Sequence, residues 1–145
     1  IFAGVGVPRG KVVDAPVEML SIYPTLLDLC ALPAYNRNEG KSLLPVMVTD
    51  EPANDYVAIT TFGMNNHAIR TNEYRYIQYE DGLGELYDHY TDQEEWKNLF
   101  DDPDYKSVIQ DFKGLLPTVN KKWNEHSQYT FQPYFVEQKA RTSKE

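Results

Sequence analysis

Apolar and polar positions alternate through residues 65–79, Asn-Asn-His-Ala-Ile-Arg-Thr-Asn-Glu-Tyr-Arg-Tyr-Ile-Gln-Tyr. Ala68 and Arg70 precede Asn72-Glu73; beyond it Tyr74, Tyr76 and Gln78 alternate with Arg75, Ile77 and Tyr79. A period of two, dense in Tyr and Ile, predicts two half-buried strands, and two residues between them suffice for a hairpin. Asn72 tolerates the left-handed backbone such a turn needs, although Glu73 is a poorer second turn residue than glycine. Glu80-Asp81-Gly82-Leu83-Gly84 is a second turn cluster, and Glu85-Leu86-Tyr87-Asp88 after it predicts a further short strand. Upstream, residues 56–62 supply a fourth strand rich in β-branched side chains. The centre of the chain reads as a small antiparallel meander.

Helical spacing takes over on either side. Leu20, Tyr23, Leu27 and Cys30, widened by Leu26 and Leu29, mark a helix over residues 21–31, with Pro24 tolerated in its first turn. That helix is apolar around much of its circumference and predicts burial against something large. Leu32-Pro33 ends it, and residues 34–55 form a long polar connection in which Ser42-Leu43-Leu44-Pro45-Val46 predicts one helical turn. Asp92, with Glu95 three positions on, reads as the capping box of a short helix reaching Asn98. Asp102-Pro103 is a cap followed by proline at the first helical position, and Tyr105, Val108, Ile109, Phe112, Leu115 and Leu116 form an amphipathic stripe that Gly114 to Pro117 stops. Packed on one face of the meander, this helix gives an α+β two-layer unit. In the tail, Val119, Trp123 and His126 extend a helical pattern, and Tyr129, Phe131, Tyr134 and Phe135 form an aromatic strip.

The organisation that follows is threefold. Residues 1–54 are a strand end (Ile1-Phe2-Ala3), a buried helix and a linker; 55–117 are the compact sheet-and-helix unit; 118–145 are a tail. An element that starts halfway predicts a piece whose neighbours lie elsewhere. At 145 residues, 41% hydrophobic and 25% charged, the composition is that of a globular domain. A formal charge of −8 argues against non-specific nucleic-acid binding, since an acidic surface repels a polyanion. No apolar run approaches the roughly 20 residues a bilayer-crossing helix needs. Cys30, the single cysteine, has no partner for an internal disulfide.

Catalytic chemistry is sparse. His67, His89 and His126 are not spaced with one another or with Cys30 as zinc ligands are. No phosphate-cradling glycine loop or nucleophile elbow is present. Asp101, Asp102 and Asp104 lack the glycine and terminal glutamate of a calcium loop and read as caps. His67 opens a strand after Asn65-Asn66, where ligand-facing groups project; it also reads as a turn histidine bonded to backbone. Arg70 has the geometry to take an anionic group bidentately, or to pair with Glu73, Glu85 or Asp88. Tyr74, Tyr76, Tyr79 and Tyr87 read either as a carbohydrate-stacking platform or as a sheet core under the 103–116 helix.

Four stretches together resemble the C-terminal portion of sulfatases of the alkaline phosphatase superfamily. Tyr23-Pro24-Thr25-Leu26-Leu27-Asp28-Leu29-Cys30 is similar to the family's D-[LIY]-x-P-T-L-L-D-L-A helix, and Gly40-Lys41-Ser42-Leu43-Leu44-Pro45 to its G-x-S-L-x-P. Ala68-Ile69-Arg70-Thr71 with Tyr74-Arg75-Tyr76 resembles its A-[IV]-R-T-x-x-Y-[RK]-Y hairpin. Glu85-Leu86-Tyr87-Asp88 with Asp92, Glu95, Asn98 and Leu99 resembles its E-L-Y-D-…-D-P-x-E-x-x-N-L run, Gln93 standing where proline is usual. The wording around Asn66-His67-Ala68-Ile69-Arg70 is most similar to the iduronate-2-sulfatase branch.

The resemblance implies that the first helix belongs to a larger α/β sulfatase domain and that the meander is the C-terminal subdomain. It implies sulfate ester hydrolysis by the parent, with sulfated carbohydrate as substrate and an exported or lysosomal location. The formylglycine nucleophile and calcium are expected in the N-terminal domain, joined covalently or as a partner. Cys30-Ala31-Leu32-Pro33-Ala34 does not match C/S-x-P-x-R, so Cys30 is expected as a buried helix residue, with no catalytic or metal-binding residue in this chain. Asn66, His67 and Arg70 are expected at the mouth of the substrate pocket. The alternatives are a free-standing carbohydrate-binding module and the C-terminal part of another hydrolase of the superfamily.

Overall fold

The computed structural model describes residues 1–49 and 56–122. The expected boundary near 49–54 and the aromatic tail with Trp123, His126, Tyr129, Phe131, Tyr134 and Phe135 lie wholly or mostly outside the described residues.

The meander is a four-stranded antiparallel sheet in chain order, β1 (Ala58–Thr61), β2 (His67–Arg70), β3 (Tyr74–Gln78) and β4 (Gly84–Asp88). The register sets Ile69 opposite Tyr76 and Tyr76 opposite Leu86, and all three are fully buried. Onto this face packs the predicted amphipathic helix. It opens with a 3-10 turn, Pro103–Tyr105, where the Asp102 carboxylate accepts the Asp104 backbone N–H at 3.1 Å, and continues as an α-helix, Lys106–Leu115. Ile109 and Phe112 reach the sheet, and the Tyr76 ring is stacked between Phe112 (5.5 Å) and Phe100 (6.3 Å). Glycine at 84 makes room for Phe100, since a Cβ there would lie 2.3 Å from the ring.

The N-terminal helices are α1 (Ile22–Leu29), entered through a 3-10 turn at Met19–Ser21, and α2 (Leu44–Val48); the C-terminal helix Lys106–Leu115 is α3. Ala31 at φ +51 ends α1, with the Leu32 amide bonded to the Leu27 carbonyl and the Ala31 amide to Asp28, a Schellman closure made without glycine. Met19, Leu20, Ile22, Tyr23 and Leu26 are all exposed. The apolar circumference read from the sequence is therefore left uncovered by the described residues. The first segment is tied to the edge of the sheet by the Glu18 carboxylate, which accepts the Ile59 amide at 2.9 Å.

Several local expectations are corrected. The strand end expected at Ile1–Ala3 is not among them: its neighbours are expected in the larger domain, and it joins no sheet among the described residues. Asn72 and Glu73 turn without left-handed backbone; Thr71 closes the turn instead, its hydroxyl accepting the Tyr74 amide at 3.0 Å. No helix forms between Asp92 and Asn98: Glu95 adopts φ +58 and its carboxylate is drawn to the sheet, while Asp92 accepts the Lys97 amide at 2.8 Å. Cys30 is the C-cap of α1 rather than a residue within it, and it is exposed among the described residues.

Candidate functional site

Both ends of the sheet carry polar chemistry, on opposite faces. At one end the β1–β2 and β3–β4 turns lie side by side. Asn65 takes φ +61, a conformation asparagine adopts more readily than most residues. Asn66 clamps the two turns: its Oδ1 accepts the Glu80 amide at 3.1 Å, and its Nδ2 donates to the Met64 carbonyl at 3.0 Å.

His67 begins β2 on the face that α3 covers. It is 4% exposed, and Nδ1 lies 2.9 Å from the Thr61 hydroxyl directly across the β1–β2 pair. Its Nε2 is enclosed and has no hydrogen-bond partner among the described residues. The ring forms part of the wall of a cleft of about 360 Å³ between these turns and the C-terminal end of α3. The backbone bond considered for this histidine is replaced by one to a side chain.

Arg70 is three residues along the same strand, roughly 10 Å away and on the opposite face. There it stands beside Arg75, its cross-strand partner. Two cations directly opposite repel, and Glu95 resolves the conflict. Arg75 Nη1 donates to both Glu95 carboxylate oxygens, at 2.9 and 3.1 Å; Arg70 Nη1 is 3.6 Å from one of them. His89 Nε2 lies 2.7 Å from Glu95 Oε1 and 2.8 Å from Arg70 Nη1. One nitrogen cannot serve both, since a carboxylate only accepts and a guanidinium only donates. The charge-assisted bond to Glu95 is the stronger, so Nε2 carries the proton and Arg70 is held by its ionic contact with Glu95. Partial burial works to raise the Glu95 pKa, but hydrogen bonds from His89 and Arg75 outweigh it and hold the carboxyl below its ordinary 4.5.

The tyrosines divide. Tyr74 and Tyr76 belong to the core under α3. Tyr79 and Tyr87 each donate a hydroxyl to a different oxygen of Glu85, both at 2.7 Å. That hydrogen bond, with desolvation second, pushes both phenols up to about 12. The four do not form one stacking platform.

The three expected site residues are thus separated, with His67 at the cleft, Asn66 linking the two turns beside it and Arg70 in the Glu95 network. Pairing of Arg70 with Glu73, Glu85 or Asp88 is corrected to Glu95, which reaches over from the loop after β4. Sequence reasoning did not anticipate His89 or Glu95 as partners; the opposed Arg70 and Arg75 were the signal that an acid had to come between them. Among the described residues no group of three or more His, Cys, Asp or Glu side chains could hold a metal ion. The side chains on hand therefore do not fit the calcium that the resemblance implies for the parent.

The family model described as N-sulphoglucosamine sulphohydrolase, C-terminal, matches residues 4–122. A sulfatase of Formosa agariphila is 57% identical over 140 residues, which are 97% of this chain and 28% of the relative. A Delta 4,5-hexuronate-2-O-sulfatase of Bacteroides thetaiotaomicron is 33% identical over 134 residues, 80% of this chain and 27% of the relative. A solved structure described as a 2-O GAG sulfatase shares the fold, with a TM-score of 0.66 at 24% identity, over all of this chain and 31% of that one. The chain thus spans less than a third of the length of these relatives.

Proposed function

The chain belongs to the family of N-sulphoglucosamine sulphohydrolase C-terminal domains, and from that membership we propose that it completes a sulfatase acting on sulfated glycans and lines one side of its substrate pocket. The C-terminal sulfatase domain supplies a sheet-and-helix unit without a metal cluster among its described residues. In this reading sulfur–oxygen cleavage takes place in the larger N-terminal domain, where formylglycine and calcium, implied by the resemblance, would supply the nucleophile and the Lewis acid.

The observation that carries this reading is the exposed apolar face of α1 beside the matched motifs. Met19, Leu20, Ile22, Tyr23 and Leu26 together form an apolar surface of the kind that marks an interface. The rest of a sulfatase is its occupant. At the substrate side, Asn66 fixes the two turns and His67 lines the cleft between them. Arg70 serves the Glu95 network that holds the opposite face in shape. The uronate 2-O position is the proposed site of sulfate removal, in keeping with the 33%-identical hexuronate-2-O-sulfatase.

The test is sulfate release by the full-length polypeptide that carries this chain, comparing disaccharides sulfated at the uronate 2-O position with those sulfated at the hexosamine 6-O position. Faster release from the 2-O-sulfated substrate is expected. Equal or reversed preference contradicts the positional assignment, and release from neither contradicts the sulfatase reading.

A further inference from the structure

Resting on the glycan-sulfatase reading, we infer that the loop after β4 presents Tyr90 and Trp96 as a stacking surface for a sulfated polysaccharide. This anchoring site lies at the β2–β3 end of the sheet, the other end from the His67 cleft. The two aromatic residues are 84% and 85% exposed. A scattered exposed aromatic means little by itself; these two are set apart by the backbone that carries them. The Asp88 carboxylate accepts the Tyr90 amide at 2.9 Å and the Thr91 hydroxyl at 3.2 Å, and the Asp92 carboxylate accepts the Lys97 amide at 2.8 Å. Asn98 Oδ1 takes the amides of Leu86 and Phe100, at 3.1 and 2.9 Å, which fastens the far end of the loop along β4. Between these points Glu95 adopts φ +58, unfavourable for a glutamate, and its carboxylate is held by Arg75. A loop fixed at so many points spares a ligand the cost of ordering the backbone beneath both rings.

The surroundings of the two aromatics select a sugar chain over a protein surface. Thr91, Asp92, Gln93, Glu94 and Lys97 lie among them, and no aliphatic residue occurs from 90 to 98. The core of a protein interface is contiguous, apolar and poor in charge. Isolated aromatic faces amid polar side chains suit instead a pyranose, which offers C–H groups on its faces and hydroxyls around its edge. The charge of the ligand follows from the residues beside Glu95. Arg70 and Arg75 share that one carboxylate, and their side chains stay 45% and 43% exposed. The pair has a positive charge to spare, and a guanidinium takes a sulfate or a carboxylate in a charge-assisted bond. Trp96 follows Glu95 directly in the chain, so the aromatic and cationic elements are contiguous.

Affinity electrophoresis of the chain joined to a sulfatase N-terminal domain, through gels containing heparin or uncharged dextran, tests this without relying on turnover. Retardation by heparin and not by dextran is expected. Trp96→Ala and Tyr90→Ala are each expected to weaken the heparin affinity about tenfold, and Trp96→Phe, which keeps an aromatic face, to retain most of it. A thermal melt establishes that each variant is folded. No retardation by heparin, equal retardation by dextran, or equal retardation of wild type and both alanine variants each overturns the anchoring site. So does a loss in Trp96→Phe as large as in Trp96→Ala, or a dimer of the wild type that Trp96→Ala breaks, which would place a second copy on the loop. Failure of the sulfatase reading appears separately, as absence of sulfate release by the wild-type protein.

Discussion

The Thr25 hydroxyl accepts the Leu43 backbone N–H at 2.8 Å while donating to the Ser21 carbonyl at 2.5 Å, all within the buried interior. This single side chain joins two stretches that the sequence shows separately, the Pro-Thr-Leu-Leu helix and the Gly-Lys-Ser-Leu-Leu-Pro segment. Gly40 lies against the start of the same helix, where a Cβ would come 2.2 Å from the Leu20 carbonyl oxygen. The two motifs fit each other at this contact.

Thr25→Val keeps the volume and removes the hydroxyl, leaving the Leu43 amide buried without a partner. A loss of about 1–3 kcal/mol in unfolding free energy is expected from urea titration. Thr25→Ser, which keeps the hydroxyl, is expected to lose less. Equal losses in the two variants refute the role assigned to the hydrogen bonds.

Most of the sheet was legible in the sequence because a period of two and the turn residues fix both strands and register. Ile69, Tyr76 and Leu86 fall opposite one another as that pattern requires. The region 92–98 was not legible. Asp92 and Glu95 have capping-box spacing, but a local signal worth a kcal/mol or so loses to two arginines and a histidine that only the folded sheet brings together. The same limit applies at the site. His67 was identifiable as a strand-opening residue, whereas the split between it and Arg70 follows from strand alternation and was open to inference. The cleft itself depends on where the end of α3 lands, which no spacing along the chain encodes.

Glu95 links stability to pH. Its folded pKa lies below the unfolded value, so its contribution is present above the ordinary 4.5 and is lost as pH falls through the folded value. In urea titrations at successive pH values, wild type is expected to exceed Glu95→Gln at neutral pH. The gap closes progressively once pH drops below about 4.5. A gap that persists at lower pH removes the carboxylate from the explanation.

Glu85 holds two phenols at once. Ultraviolet difference titration is expected to show Tyr79 and Tyr87 ionising near 12. In Glu85→Gln both are expected to move down toward the ordinary 10.0. Unchanged titration in the variant contradicts the shared carboxylate.

Sulfate release from an aryl sulfate, measured for the purified 145-residue chain alone and for the chain joined to a sulfatase N-terminal domain, tests the central claim most directly. The account predicts release by the joined protein and none above the blank by the chain alone. Release by the isolated chain contradicts it, since the described residues would then hold a catalytic centre of their own.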